Sequence, residues 1–81
     1  MRIVDIPIDK IYVPAKMRKD FDEDKVLPLA EEILENGLQK PIYVRVGKGR
    51  YVLVSGLHRL EATKFLDEET IEASIVQARK G

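Results

Sequence analysis

The stretch from Tyr51 to Ala62, YVLVSGLHRLEA, constrains this chain more than any other. It begins as a β-branched and aromatic run of the kind that forms a buried strand. It breaks at Ser55-Gly56, then resumes with His58, Ala62, Phe65 and Leu66 near one face at helical spacing. A strand that turns through a glycine straight into a helix leaves the first helical amides without an internal partner. The helix dipole adds partial positive charge at the same place. Such a corner suits an anion, phosphate being the common one. His58 and Arg59 fall in the first turn, where they add donors, and His58 is the only histidine of the chain. A plainer reading uses the same residues: Gly56 is a tight turn, Ser55 caps the helix, and His58-Arg59 is a solvated pair. SGLHR is not a Walker-type glycine loop, so the strong phosphate motifs do not decide between the two.

Composition narrows the classes. Eighty-one residues make a single domain, 1–81, with a small core. Fourteen basic residues balance fourteen acidic ones, which argues against a dedicated nucleic-acid clamp. Local basic sets remain at Lys16, Arg18 and Lys19, and at Lys40, Arg45, Lys48 and Arg50. With no cysteine and one histidine, thiolate chemistry is excluded and a structural zinc site is not expected. No apolar run approaches the ~20 residues of a membrane span, and the N-terminus lacks a signal peptide's apolar region. The expectation is a cytoplasmic protein with no membrane partner.

Taken in order, Ile3 to Ile8 reads as a strand with Pro7 near an edge, and Ile11-Tyr12-Val13 as a second extended piece closed by Pro14. Residues Ala15 to Arg18 read as loop. A helix is expected from about Glu23 to Glu35, with Val26, Leu29, Ala30, Ile33 and Leu34 as its buried stripe and Asn36-Gly37 as its end. Pro28 predicts a kink there, or a helix that begins later. Gly37-Leu38-Gln39-Lys40-Pro41 is a connector. Ile42 to Val46 and Arg50 to Val54 form a hairpin around Gly47-Lys48-Gly49. A second helix follows from about Leu57 to Leu66, then an acidic turn and a last strand from Ile71 to Val76, with Arg79-Lys80-Gly81 as a frayed tail. This order predicts a compact α+β domain with a small mixed sheet and two main helices.

Two motifs in this order and spacing carry a resemblance: Gly37-x-x-x-Pro41-Ile42, and Gly56-x-His58-Arg59 with the strand before it. Together with Ile8-Asp9-Lys10-Ile11, Pro14, Arg18 and Asp24-Lys25-Val26, they make the chain similar to the ParB/sulfiredoxin superfamily over nearly its whole length. It looks most like the small stand-alone ParB-like nuclease or ParB N-terminal domain proteins. The resemblance implies nucleotide binding, of CTP as in ParB or of ATP as in sulfiredoxin. It implies that Ser55, Gly56, Leu57, His58 and Arg59 hold phosphates. Arg18 matches the arginine of the first ParB box, and Lys25 a nucleotide-contacting lysine of sulfiredoxin. Gly37, Leu38, Gln39, Lys40 and Pro41 match the connector that faces the base.

The departures are as informative. Leu57 stands where sulfiredoxin has its catalytic cysteine and ParB a glutamate, and leucine can do neither job. Pro28 and Glu32 replace hydroxyl residues that sulfiredoxin brings to ATP. No catalytic residue is assigned. The resemblance implies magnesium accompanying bound CTP or ATP and no structural metal. Three functions stay open: a nucleotide-binding switch in DNA partition or gene regulation, a nucleotide hydrolase, phosphotransferase or nuclease, and an inert interaction domain. DNA, a DNA-binding partner protein and a second copy in a homodimer are the macromolecular partners compatible with the resemblance.

Overall fold

Five short strands form one mixed sheet; the second of two helices packs on it, and the first packs against the second. The computed structural model describes residues 2–38 and 40–76. The elements are β1 (Arg2–Pro7), β2 (Ile11–Tyr12), α1 (Val26–Asn36), β3 (Ile42–Gly47), β4 (Arg50–Ser55), α2 (Leu57–Phe65) and β5 (Thr70–Ile75). Three 3-10 turns, Ile8–Lys10, Ala15–Asp20 and Glu23–Lys25, lie before α1. The sheet order is β1-β5-β3-β4-β2. β1 is antiparallel to β5 and β3 to β4, while β3–β5 and β2–β4 are parallel. The α+β class and the mixed sheet are as the residue pattern implies.

Strand alternation builds the core. Ile6, Ile42, Val44, Leu53, Ile71 and Ala73 point to the helix-covered face and are buried. Leu57 and Leu60 of α2 meet them there. The β3–β4 hairpin closes on Gly47 opposite Arg50, and Gly49 supplies the positive φ (66°) its turn requires.

Several expectations are corrected. The α-helix begins at Val26, not near Glu23; the residues before it form a separate 3-10 turn capped by the Asp22 carboxylate, which accepts from the Asp24 N–H at 3.0 Å. This later start is the second of the alternatives that Pro28 offered: the proline falls in the first turn of α1, where its missing N–H removes no ladder bond. Ala15 to Arg18 is not open loop but part of a 3-10 turn. Of the expected α1 stripe only Ala30 is fully buried, and Leu34 is 74% exposed. Phe65 at the end of α2 is likewise exposed, at 62%, beside Phe21, Val26 and Leu27. The second extended piece is a strand only over Ile11–Tyr12. The expected tail at Arg79 to Gly81 lies outside the described residues, as does Gln39.

Candidate functional site

The corner between β4 and α2 is built on Gly56. It is the N-cap of α2, with φ 106° and ψ 29° in the left-handed region, where a side chain is disfavoured. A Cβ at Gly56 would also stand 2.8 Å from Cγ2 of Ile42, the first residue of β3. The glycine thus lets the end of the connector press against the start of α2. The first helical bond runs from the Leu60 N–H to the Gly56 carbonyl at 2.9 Å, so the amides of Leu57, His58 and Arg59 have no acceptor in their own helix. No side chain caps them. Ser55, expected as a cap or phosphate contact, ends β4 opposite Tyr43 and is exposed. It is still in extended strand, one residue ahead of the capping position.

The three side chains after Gly56 go to different places. Leu57 is buried in the core. His58 turns toward the segment before α1: its Nε2 accepts the backbone N–H of Asp22 at 3.0 Å, and its ring stacks on Phe21 with centroids 5.1 Å apart and planes 25° apart. Nε2, which the residue pattern offered as a donor, is an acceptor here. Arg59 is half-buried, and its Nε is fully buried without a hydrogen-bond partner. A buried donor left unpaired costs about 1–3 kcal/mol, so an unmatched Nε points to a missing acceptor.

Arg59 lines a cavity of about 140 Å³ together with Gly37, Leu38 and Lys40 of the connector and Leu29, Glu32 and Ile33 of α1. The fold therefore brings the two motifs into one site, the corner supplying Arg59 and the connector its opposite wall. Pro41 is half-buried just before β3. Arg18 and Lys25 are not brought to this cavity. Arg18 is exposed in the second 3-10 turn, and Lys25 is exposed at the N-cap of α1. A larger groove of about 630 Å³ runs past Pro7, Ile8, Lys64 and Glu68, but it contains no unpaired buried donor and no free helix amides. Among the described residues no group of three or more histidine or acidic side chains could hold a metal ion, and no helix is long and apolar enough to cross a membrane.

The residue pattern alone missed Asp22 and Phe21, which organise His58, and Thr63, whose hydroxyl donates to the Arg59 carbonyl at 2.8 Å. It also missed Leu29 and Ile33 as cavity walls. The Asx-type capping of Asp22 was visible, but its contact across 36 residues to His58 was not.

Comparison with known proteins identifies the fold and the family. The chain is 41% identical over 76 residues to a probable chromosome-partitioning protein ParB of Helicobacter pylori, covering 93% of this chain and 26% of that protein. It is 40% identical over 79 residues to the chloroplastic/mitochondrial sulfiredoxin of Arabidopsis thaliana, covering 98% of this chain and 61% of that protein. The crystal structure of Arabidopsis sulfiredoxin superimposes with a TM-score of 0.84 at 37% identity, over 96% of this chain and 88% of that one. C-terminally truncated ParB from Caulobacter crescentus, complexed with CTP-gamma-S, superimposes with a TM-score of 0.83 at 25% identity, over 98% of this chain and 46% of that one. The chain thus spans about a quarter of the Helicobacter protein and about three fifths of the sulfiredoxin. The ParB N-terminal domain profile matches residues 1–80, so the chain belongs to the ParB N-terminal domain family, within the ParB/sulfiredoxin superfamily.

Proposed function

We propose that this chain is a nucleotide-binding module that holds the phosphates of a nucleoside triphosphate at the Gly56–Arg59 corner. The observation that carries the reading is the buried, unpartnered Nε of Arg59 beside three helix amides with no helical acceptor. An anion at that point satisfies both kinds of donor at once. The connector wall at Gly37, Leu38 and Lys40 faces the same cavity, which favours a ligand longer than a bare phosphate, with its base or sugar toward the connector. CTP and ATP are the two candidates, by likeness to ParB and to sulfiredoxin. Magnesium would accompany the triphosphate, by the same likeness, and Glu32 is the acid that lines the cavity.

Binding is favoured over turnover because Leu57, the side chain next to the corner, is apolar and buried in the core. A role in DNA partition or gene regulation belongs to the same proposal, as a switch that reads nucleotide for DNA-binding segments or partners. A thermal-shift and calorimetric panel of CTP, ATP, GTP and UTP, with and without magnesium, tests it. Saturable binding of CTP or ATP, competed by the cognate diphosphate, is the expected result. No saturable binding of any nucleotide leaves the domain an interaction module, and multiple turnover makes it a hydrolase.

A further inference from the structure

The groove that runs past Pro7 and Ile8 adjoins a second cavity of about 380 Å³, and Glu68 and Thr70 line both. The second cavity lies between the outer strands and the ends of the helices. Asp5 of β1 and Glu72 of β5 line it, with Ile33 and Leu34 of α1 and Leu66 just after α2. Ile33 and Leu66 are half-buried, and Leu34 is the exposed end of the α1 stripe.

The charge along this double groove is one-sided. Asp5, Glu68 and Glu72 line the second cavity, and Asp9 and Glu69 line the first together with Glu68. All five side chains are exposed, and among the described residues none of them is in an ion pair. Lys64, the cation of the first lining, is already 3.3 Å from Glu61. Asp5 and Glu72 stand directly opposite each other across β1 and β5, where like charges repel and cost stability. The whole chain is balanced in charge, so this excess is local. Main-chain bonds hold the acids in place: the Ile8 N–H donates to the Glu69 carbonyl at 3.0 Å, and the Glu68 N–H to the Thr63 carbonyl at 3.3 Å.

The sign of the charge separates this groove from the Arg59 cavity. Ile33, Gly37 and Leu38 line both. Arg59 and Lys40 belong to one side of that shared wall, and the three carboxylates of the second cavity to the other. A polyphosphate reaching into the groove meets repulsion, whereas a cation is drawn in. A single metal ion does not fit, because the rest of β1 and a 3-10 turn separate Asp5 from Asp9, on the order of 10 Å. Among the described residues no group of three or more acids is close enough to hold one. The matching ligand is therefore long, carries several positive charges, and covers apolar atoms at Ile33, Leu34 and Leu66. β1 is an edge strand, so no further strand closes the sheet beyond Asp5. An extended peptide has all of these properties.

We infer that this groove binds an extended basic segment of a partner protein. Its lysine or arginine side chains pair with Asp5 and Glu72 at one end and with Asp9, Glu68 and Glu69 at the other, and its apolar side chains cover Leu34 and Leu66. A cation set between Asp5 and Glu72 also relieves their mutual repulsion. Binding is salt-sensitive, since all of these carboxylates face solvent.

The test uses the whole 81-residue chain and a synthetic peptide of about ten residues, long enough at ~3.3 Å per residue to follow both cavities. Leucine alternates with lysine and arginine in it, and both ends are blocked. Titration followed by backbone-amide NMR gives saturable binding with a Kd of about 10 µM to 1 mM. The amides that shift are those of Asp5, Leu34, Leu66 and Glu68 to Glu72. The Asp5→Lys/Glu72→Lys chain binds at least about tenfold more weakly. Leu34→Ser, which removes apolar surface and no charge, weakens binding about threefold or more and leaves its salt dependence unchanged. Should the charge reversal unfold, Asp5→Asn/Glu72→Gln carries the comparison: it melts no lower than the parent, because the repulsion is gone, yet binds the peptide more weakly. Nucleotide is absent throughout, so the outcome is separate from that of the Gly56–Arg59 corner. A peptide that does not saturate overturns the inference, as do shifts confined to other parts of the chain. So does equal binding by the parent and the charge variants, or by a version of the peptide with glutamate at every basic position. Spermidine that binds as tightly and shifts the same amides overturns it in favour of a small polycation.

Discussion

His58 accepts the backbone N–H of Asp22 at 3.0 Å and lays its ring on Phe21. These contacts tie the start of α2 to the turn that feeds α1, two segments 36 residues apart. The site's shape depends on that tie, since α1 supplies one wall of the Arg59 cavity. His58→Ala removes one hydrogen bond and one stacked ring, together worth about 1–2 kcal/mol. In a chain this small that lowers the melting temperature by roughly 5–10 °C. His58→Phe keeps the stack and recovers about half of the loss. Thermal melts followed by circular dichroism check both, and an unchanged melt for His58→Ala refutes the tie.

Gly56 and Gly49 share a positive φ but not a neighbourhood. A Cβ at Gly49 would meet nothing within 4 Å, whereas one at Gly56 would meet Ile42 at 2.8 Å. Gly49→Ala therefore carries only the backbone penalty of about 1–2 kcal/mol. Gly56→Ala carries that penalty and a steric one, about 1–3 kcal/mol more because Ile42 is fully buried and cannot move aside. Urea denaturation of the two variants reads the difference directly. Equal losses would mean that the close approach at the corner carries no energy.

Leu57 offers a different test. It stands beside the Gly56 corner in sequence yet belongs to the core, at 5% exposure. Leu57→Ala is expected to cost about 2–5 kcal/mol of stability through the cavity it opens. Leu57→Glu, which introduces the residue type that the resemblance implies for ParB here, buries a carboxylate without a cation and should unfold the domain rather than confer hydrolysis. A folded Leu57→Glu chain that releases phosphate from CTP would contradict this.

How much of this was legible follows from the range of each interaction. The hairpin at Gly47 to Gly49 and the strand into Gly56 are local, and both stand where alternation and glycine placed them. The start of α1 was misread because a capping aspartate and an acidic first turn look alike ahead of a 3-10 turn and an α-helix. Asp22 does cap, but it caps Glu23–Lys25. Leu34 and Phe65 sit at apolar positions of their helices, yet both stand exposed. Each half of the site was visible as a motif, and the resemblance gave both to one nucleotide. The cavity wall they share with α1 was not visible, because Leu29, Glu32 and Ile33 reach it through the packing of α1 on α2.

The last prediction rests on that cavity. The Arg59 Nε is buried with no acceptor, so the unliganded domain carries a desolvated donor that costs it about 1–3 kcal/mol. A residue retained only for packing would not be expected to keep such a donor. Methionine has a similar length, no donor and no charge. Arg59→Met should therefore leave the melting temperature unchanged or raise it, while the loss of a charge-assisted contact of about 1.5–3 kcal/mol weakens nucleotide binding more than tenfold. Arg59→Lys keeps the charge but not the planar fork, and should fall between the two. Calorimetric titration with CTP and ATP, beside melts of the same samples, separates the alternatives. If Arg59→Met lowers the melting temperature sharply, Arg59 is a structural anchor whose other donors stabilise the fold. If Arg59→Met binds nucleotide as tightly as the parent, the phosphates do not sit at this corner. Stability held or gained together with affinity lost is the pairing of outcomes that a ligand-directed arginine alone produces.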